Sequence, residues 1–305
     1  MYVGIFVVSI AVLLKASDVF IDSAEKIGLS LGISPFIIGV TIIAFGTSLP
    51  ELVTSIAAVL NGQPEIVIGN VVGSNITNIA LVLGLVAISI KTIKLEYNIW
   101  HIDMPYLWGS AFLLWFAVRD GDFTYFEAVL FIGAIIIFLA YSFSSDDAEK
   151  EEDKPKVVPL TYIFLVAAGV FVWLSADYTI YAISGLSEIA GIDKDVIALS
   201  AVALGTSLPE IIVSISAAKK GKSSMAVGNV LGSNIFNTYL VMAIPRFFGE
   251  LEISTNILYF GLPFMVAMTI LFGVASNNKK ITRFEGSLLI LFYIFYMGEL
   301  FKPYF

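Results

Sequence analysis

Apolar residues fill the chain in blocks of roughly 17–25, the length a helix needs to cross a bilayer core. Ten such blocks begin near residues 2, 34, 66, 104, 123, 158, 194, 224, 254 and 283, with only RDGD at 119–122 between the fourth and fifth. The pattern predicts an all-α integral membrane protein with ten transmembrane helices. Two blocks contain residues that membrane helices avoid. TIIAFGTSLPELVTSI at 41–56 places a glycine, a proline and a glutamate deep in apolar sequence, and SAVALGTSLPEIIVSI at 200–215 repeats the hexapeptide GTSLPE. Proline removes a helical hydrogen bond, and an ionised carboxylate in hydrocarbon is costly.

The recurrence extends well beyond the hexapeptide. A shift of 159 residues carries Glu51 onto Glu210, Gly46 onto Gly205, Asn70 onto Asn229, Ser74 onto Ser233, Asn78 onto Asn237 and Asp18 onto Asp177, without a gap. Between Ala44 and Asn78 roughly half the positions are identical to their mates. The chain therefore divides into a first five-helix repeat at 1–143, an acidic cytoplasmic linker at 144–157 and a second repeat at 158–305. Five is odd, so the second repeat must enter the membrane from the opposite side. Inverted repeats of this kind place ion sites near the midplane, on interrupted helices at the repeat interface.

Basic residues orient the chain. With the N-terminus outside, one side holds Lys26, Lys91, Lys94, Lys150, Lys154, Lys156, Lys219, Lys220, Lys222, Lys279, Lys280 and Arg283. The other side holds Arg119, Lys194, Arg246 and Lys302. Twelve against four puts both termini outside the cell membrane.

Composition agrees with this class: 58% of residues are hydrophobic, 14% are charged, and the mean hydropathy is +0.91. The net charge of −8 comes largely from SSDDAEKEEDKPK at 144–156, which reads as a solvated linker. There is no cysteine, so thiolate chemistry is excluded, and the one histidine, His101, sits beside Trp100 as an interfacial residue. An intramembrane hydrolase built on Ser48 or Ser207 lacks a nearby base, so the chain is not expected to be an enzyme. No cofactor, nucleic acid or obligate protein partner is expected; the partners are the lipid bilayer and transported ions.

Pro50 cannot donate to the Gly46 carbonyl, so the second span should kink and turn carbonyls between about Ala44 and Thr47 inward. Thr47 and Glu51 share a helix face, with Thr54 and Ser55 a turn further on. Thr206, Ser207, Pro209, Glu210 and Ser214 repeat this in the seventh span. In the third span Asn70, Ser74 and Asn78 form a second polar stripe beside Gly69 and Gly73, a spacing that favours close helix approach. Asn229, Ser233, Asn234 and Asn237, with Gly228 and Gly232, repeat it in the eighth. Asp18 follows Lys15 by one turn and can pair with it. The convergent groups are all oxygen donors, and no Lys or Arg lies near the glutamates to neutralise them. Either protons or cations must do so. Ca²⁺ accepts 6–8 oxygens at about 2.3–2.6 Å and suits such a set better than Mg²⁺; Na⁺ also takes oxygen ligands.

GTSLPE with GNVVGSNITN at 69–78, and GTSLPE with GNVLGSNIFN at 228–237, resemble the paired motifs of the sodium/calcium exchangers, within the cation/calcium antiporter superfamily and of prokaryotic type. The resemblance implies an antiporter that exchanges Na⁺ for Ca²⁺ by alternating access, with ions held between helices 2, 3, 7 and 8. By motif position, Glu51 and Glu210 are the implied central carboxylates, and Thr47 and Thr206 add backbone carbonyls. Ala44, Ser48 and Ser74 are implied to form one flanking Na⁺ site, and Ala203, Ser207 and Ser233 the other. Asn78 and Asn237 are implied to face the centre between them, and the first and sixth spans to slide as a pair. Two departures stand out. Asn237 is a neutral amide where K⁺-dependent exchangers and some prokaryotic relatives carry Asp, and the linker is far shorter than the regulatory loop of animal exchangers. The alternative is Ca²⁺/H⁺ antiport, although proton-coupled relatives typically carry an acid after the GN of the third-span motif.

Overall fold

A computed structural model describes residues 1–95, 99–100, 103–144, 157–189 and 205–301. The helices are α1 (Tyr2–Ser30), α2 (Pro35–Leu60), α3 (Glu65–Ile90), α4 (Asp103–Ala117), α5 (Tyr125–Ser144), α6 (Pro159–Ile189), α7 (Leu208–Lys219), α8 (Ser223–Arg246), α9 (Ile257–Ser276) and α10 (Arg283–Phe301). Eight of them are long and apolar enough to cross a membrane. The other two fall short of the sequence expectation of ten. Helix α4 has 15 residues, which at 1.5 Å each is about 22 Å and less than a bilayer core. The described part of α7 has 12 residues, and residues 190–204, where the seventh apolar block begins, lie outside the described residues, as do His101, Lys194, Ala203 and linker residues 145–156.

Helices α3 and α8 are the most enclosed, whereas α1, α5, α6 and α10 turn most of their surface outward. Helix α1 packs chiefly along α6, where Thr179 donates to Ser9 at 2.9 Å and Tyr2 meets Tyr181 edge-on. Helix α8 lies against the first half of α2 at backbone distance. A Cβ added at Gly228 would come within 2.5 Å of the Phe36 carbonyl oxygen, and one at Gly232 within 2.2 Å of that of Val40. This is the close approach expected of the small-residue pair in the eighth span. Its mate is not matched in the same way: among the described residues nothing lies within 4 Å of a Cβ at Gly69, and the segment mated to Phe36–Val40, 195–199, lies outside them.

Two features carried no clear sequence signal. Thr92–Lys94 (β1) and Lys280–Thr282 (β2) pair antiparallel, with Ile93 facing Ile281, and join the ends of α3 and α10. Wide π turns interrupt α2 at Gly39–Ile43, α3 at Thr77–Val82, α8 at Asn237–Val241 and the start of α9 at Ile257–Gly261. Those of α3 and α8 are repeat mates, and each carries a predicted site residue, Asn78 or Asn237. Single π turns mark functional positions in helices.

Candidate functional site

The glycine–proline segment produces a break rather than a kink. Ser48 leaves helical geometry (φ −87°, ψ 0°), and the helix restarts at Leu49 with Pro50 in its first turn, where a missing N–H is tolerated. Ser207 does the same (φ −84°, ψ 1°) ahead of Leu208 and Pro209. Each restart brings a glutamate into the first turn of a new helix, beside unsatisfied amides and the positive end of the dipole.

Both glutamates are fully buried. They lie close enough to repel each other, with the Thr206 hydroxyl beside Glu51 and the Thr47 and Ser48 hydroxyls beside Glu210. None of these approaches makes a hydrogen bond: both oxygens of both carboxylates lack a partner among the described residues. No salt bridge reaches either glutamate among the described residues.

Around them the repeats cross-link with near two-fold symmetry. Asn70 donates to Ser55 Oγ at 3.0 Å, and its mate Asn229 donates to Ser214 Oγ at 2.9 Å. The amide oxygens accept from the opposite repeat: Thr206 donates to Asn70 at 3.2 Å and Thr47 to Asn229 at 3.1 Å. Ser74 approaches Thr206 at 3.4 Å, and Ser233 approaches Thr47 at 3.4 Å. The symmetry ends at Asn75 and Asn234. Asn75 donates to the Thr238 hydroxyl at 2.9 Å, but the mate of Thr238 is Ile79, and Asn234 donates instead to the Asn75 backbone oxygen at 3.3 Å.

Among the described residues three mated pairs have no side-chain hydrogen-bond partner at all, Ser48 and Ser207, Glu51 and Glu210, Asn78 and Asn237, and a fourth pair, Asn75 and Asn234, leaves Oδ1 without one on each side. Each of the six side chains in the first three pairs is at least 96% buried, and together they carry eight oxygens without a hydrogen-bond partner. The π turn bearing Asn78 packs on α7, which bears Glu210, and the π turn bearing Asn237 packs on the half of α2 bearing Glu51. An orphaned buried polar group costs about 1–3 kcal/mol, and a carboxylate costs more. A cation of oxygen-seeking type removes that cost. No group of three or more His, Cys, Asp or Glu that could hold a metal ion occurs among the described residues, and a cation at this centre would draw on two acids and neutral oxygens.

The remaining expected residues are placed as follows. The Ala44 carbonyl accepts from the Ser48 amide at 3.0 Å and weakly from the Thr47 hydroxyl at 3.4 Å. Ser74 and Ser233 are buried with long contacts only. Thr54 does not join the polar centre; it lines a cavity of about 400 Å³ with Asn61, Gln63, Asn70, Asp177 and Thr206. Asp18 pairs with Lys220 at 3.2 Å, across the repeat boundary, and also accepts from Ser216. This replaces the expected local pair with Lys15, because folding brings the α7–α8 connection onto α1. The roles of Asn70, Asn229, Ser55 and Ser214 as the frame that orients the two threonines were not read from sequence; the shared shift of 159 was the available signal.

A sequence profile described as sodium/calcium exchanger protein matches residues 1–144 and 160–301. The chain is 33% identical to the sodium/calcium exchanger MaX1 of Methanosarcina acetivorans, over 97% of each chain. It is 34% identical to an uncharacterised membrane protein of Methanocaldococcus jannaschii, over 98% of this chain and 97% of that one. Solved structures of the sodium-calcium exchanger NCX_Mj superpose with a TM-score of 0.85 at 31% identity, one soaked with Na⁺ and Ca²⁺ (98% of each chain) and another with Na⁺ and Sr²⁺ (97% of each). The family is one of cation/calcium antiporters rather than of catalytic enzymes. Matched across both repeats, the chain belongs to the sodium/calcium exchanger family.

Proposed function

We propose that the chain exchanges Na⁺ for Ca²⁺ across the cell membrane by alternating access, with the ions held where α2, α3, α7 and α8 meet. The observation that carries this reading is the pair of mutually repelling, fully buried carboxylates without a salt bridge among the described residues, set among unpartnered oxygens in repeat-related positions. Ca²⁺ between Glu51 and Glu210 neutralises both acids at once and draws on flexible neutral oxygens. Na⁺ entering beside Ser48 and Ser74, or beside Ser207 and Ser233, shares those carboxylates and displaces the divalent ion. The 3.4 Å contacts of Ser74 and Ser233 are weak enough to be exchanged for an ion. Asn78 and Asn237 complete the centre with amide oxygens, and Ala44, Ala203, Thr47 and Thr206 contribute backbone carbonyls.

The two repeats span the membrane five times each in opposite senses, with both termini outside. Helices α1 and α6, which pack on each other more than on the rest, move together to switch access. Ca²⁺ flux into proteoliposomes tests the assignment. Uptake driven by an outward Na⁺ gradient supports it. Uptake driven only by a pH gradient would instead establish Ca²⁺/H⁺ antiport, with Glu51 and Glu210 as the protonated groups, and channel-like flux without a counter-ion would overturn exchange.

A further inference from the structure

The two ends of the α1–α6 pair are not treated alike. At one end, Asp177 of α6 opens onto the 400 Å³ cavity, whose rim includes Asn61 and Gln63 from the α2–α3 connection, and it makes no ion pair among the described residues. At the other end, the mated positions are closed by charge. Lys220 and Lys222 in the α7–α8 connection are the mates of Asn61 and Gln63, and Asp18 of α1 is the mate of Asp177. Lys220 contacts Asp18 at 3.2 Å and Asp22 at 2.9 Å; Lys222 contacts Asp22 at 2.9 Å and Glu25 at 2.8 Å. The mates of Asp22 and Glu25 are Tyr181 and Ser184, which carry no charge at neutral pH.

We propose that Lys220 and Lys222 are positioning residues of the exchange cycle. With Asp18, Asp22 and Glu25 they form a latch that holds α1 against the α7–α8 connection while the opposite cavity is open, and the alternate end state has no counterpart latch. The inference rests on the alternating-access reading above. Every pair joins α1 to the α7–α8 connection, so all of them must break if α1 and α6 slide past the rest. In the alternate state Asp177 would approach Asn61 and Gln63, which supply amides in place of ammonium groups. Inverted repeats of otherwise matched sequence thus give two end states of unequal stability. Burial alone would lower the Lys222 value, but hydrogen bonds to Asp22 and Glu25 outweigh it and hold the ammonium above the ordinary lysine range. It therefore stays charged at neutral pH. A network anchored at both ends is worth more than an isolated exposed pair, and salt weakens it by screening.

The chain has no cysteine, so single-cysteine reporters can be introduced directly. Ala57→Cys places a thiol on the open cavity, and Ser17→Cys places one at the mate of Ala176, another residue lining that cavity. In nanodiscs, where a maleimide reaches both faces, Ala57→Cys should react quickly and Ser17→Cys slowly. Adding Lys220→Gln and Lys222→Gln should raise the Ser17→Cys rate relative to that of Ala57→Cys by about fivefold, the equivalent of one well-formed ion pair. Lys220→Arg with Lys222→Arg should leave the ratio near that of the parent. Asn61→Lys, which offers Asp177 a partner in the alternate state, should move the ratio in the same direction as the glutamine pair, and it guards against misfolding of the latter. Unchanged ratios in the glutamine pair and in Asn61→Lys would overturn the latch. Labelling reads access regardless of which ions move. A shifted ratio in a protein without Na⁺-driven Ca²⁺ flux would leave the latch standing and reject the exchange assignment.

Discussion

The Thr47 hydroxyl donates to the Asn229 side-chain oxygen across 3.1 Å, joining the broken second helix of one repeat to the eighth helix of the other. Its repeat mate, Thr206 to Asn70, is 3.2 Å long. These two bonds tie the residue before each helix break, at Ser48 and Ser207, to the opposite repeat, and the glutamates follow one turn later. Thr47→Val keeps the shape, removes the donor and leaves Asn229 Oδ1 without its cross-repeat partner. The expected loss is about 1–3 kcal/mol, read as a lower denaturation midpoint, with Thr47→Ser largely restoring it. An unchanged midpoint for Thr47→Val would show that the bond does not brace the site.

Glu51→Gln and Glu210→Gln each remove one of two mutually repelling charges. A charge at 4 Å in a medium of effective dielectric about 20 contributes about 4 kcal/mol, roughly a thousandfold in affinity. Ca²⁺ flux should fall to background, and Ca²⁺ should no longer raise the thermal midpoint. Without Ca²⁺ the variants should melt higher than the parent, because a buried, unpaired carboxylate has been relieved. Wild-type flux in either variant would remove the central role of that residue.

Asn237→Asp adds a third carboxylate on the π turn that packs against the Glu51 half-helix. Calorimetry should find tighter Ca²⁺ binding, because a further negative charge attracts the ion, together with a lower midpoint in the absence of cations. No change in affinity or ion preference would place Asn237 off the ion path.

Gly232→Ala would put a methyl group 2.2 Å from the Val40 carbonyl oxygen and 2.7 Å from the Ala44 Cβ. Backbone cannot yield as a side-chain tip can, so the substitution should cost about 1–3 kcal/mol and displace the half-helix that leads to Ser48. Gly133→Ala, which meets nothing within 4 Å, should be neutral or stabilising by up to about 1 kcal/mol. Equal midpoints for the two variants would contradict the close packing of α8 on α2.

The membrane class, the repeat and both glutamates were legible because each depends on residues adjacent in sequence or separated by a fixed shift. Among the described residues eight of the ten expected spans met length and hydropathy; α4 is described over 15 residues and α7 over 12, and residues 101–102 and 190–204 next to them lie outside the described residues. The helix breaks exceeded the expected kinks because Pro50 and Pro209 can each begin a helix as readily as bend one. The π turns at Asn78 and Asn237 were not legible, since an extra residue per turn is held by packing and leaves no local composition. Asp18 illustrates the same limit: Lys15 was near in sequence, but Lys220, 202 residues away, became its partner.

The paired glutamates also bear on why transport should be coupled at all. Bare, ionised carboxylates form a doubly negative cargo hold, which a low-dielectric barrier resists enclosing and which the membrane voltage acts on at about 2.3 kcal/mol per charge per 100 mV. One divalent cation, or two monovalent ones, would cancel that charge and, on the proposed cycle, let the gates close over it. A third monovalent ion makes the same compartment positive, so the voltage would drive that step in one direction. On the alternating-access proposal an empty carrier would therefore be the state least able to turn over. On the proposed exchange, two acids without a counter-charge among the described residues would make each ion's departure wait on another's arrival.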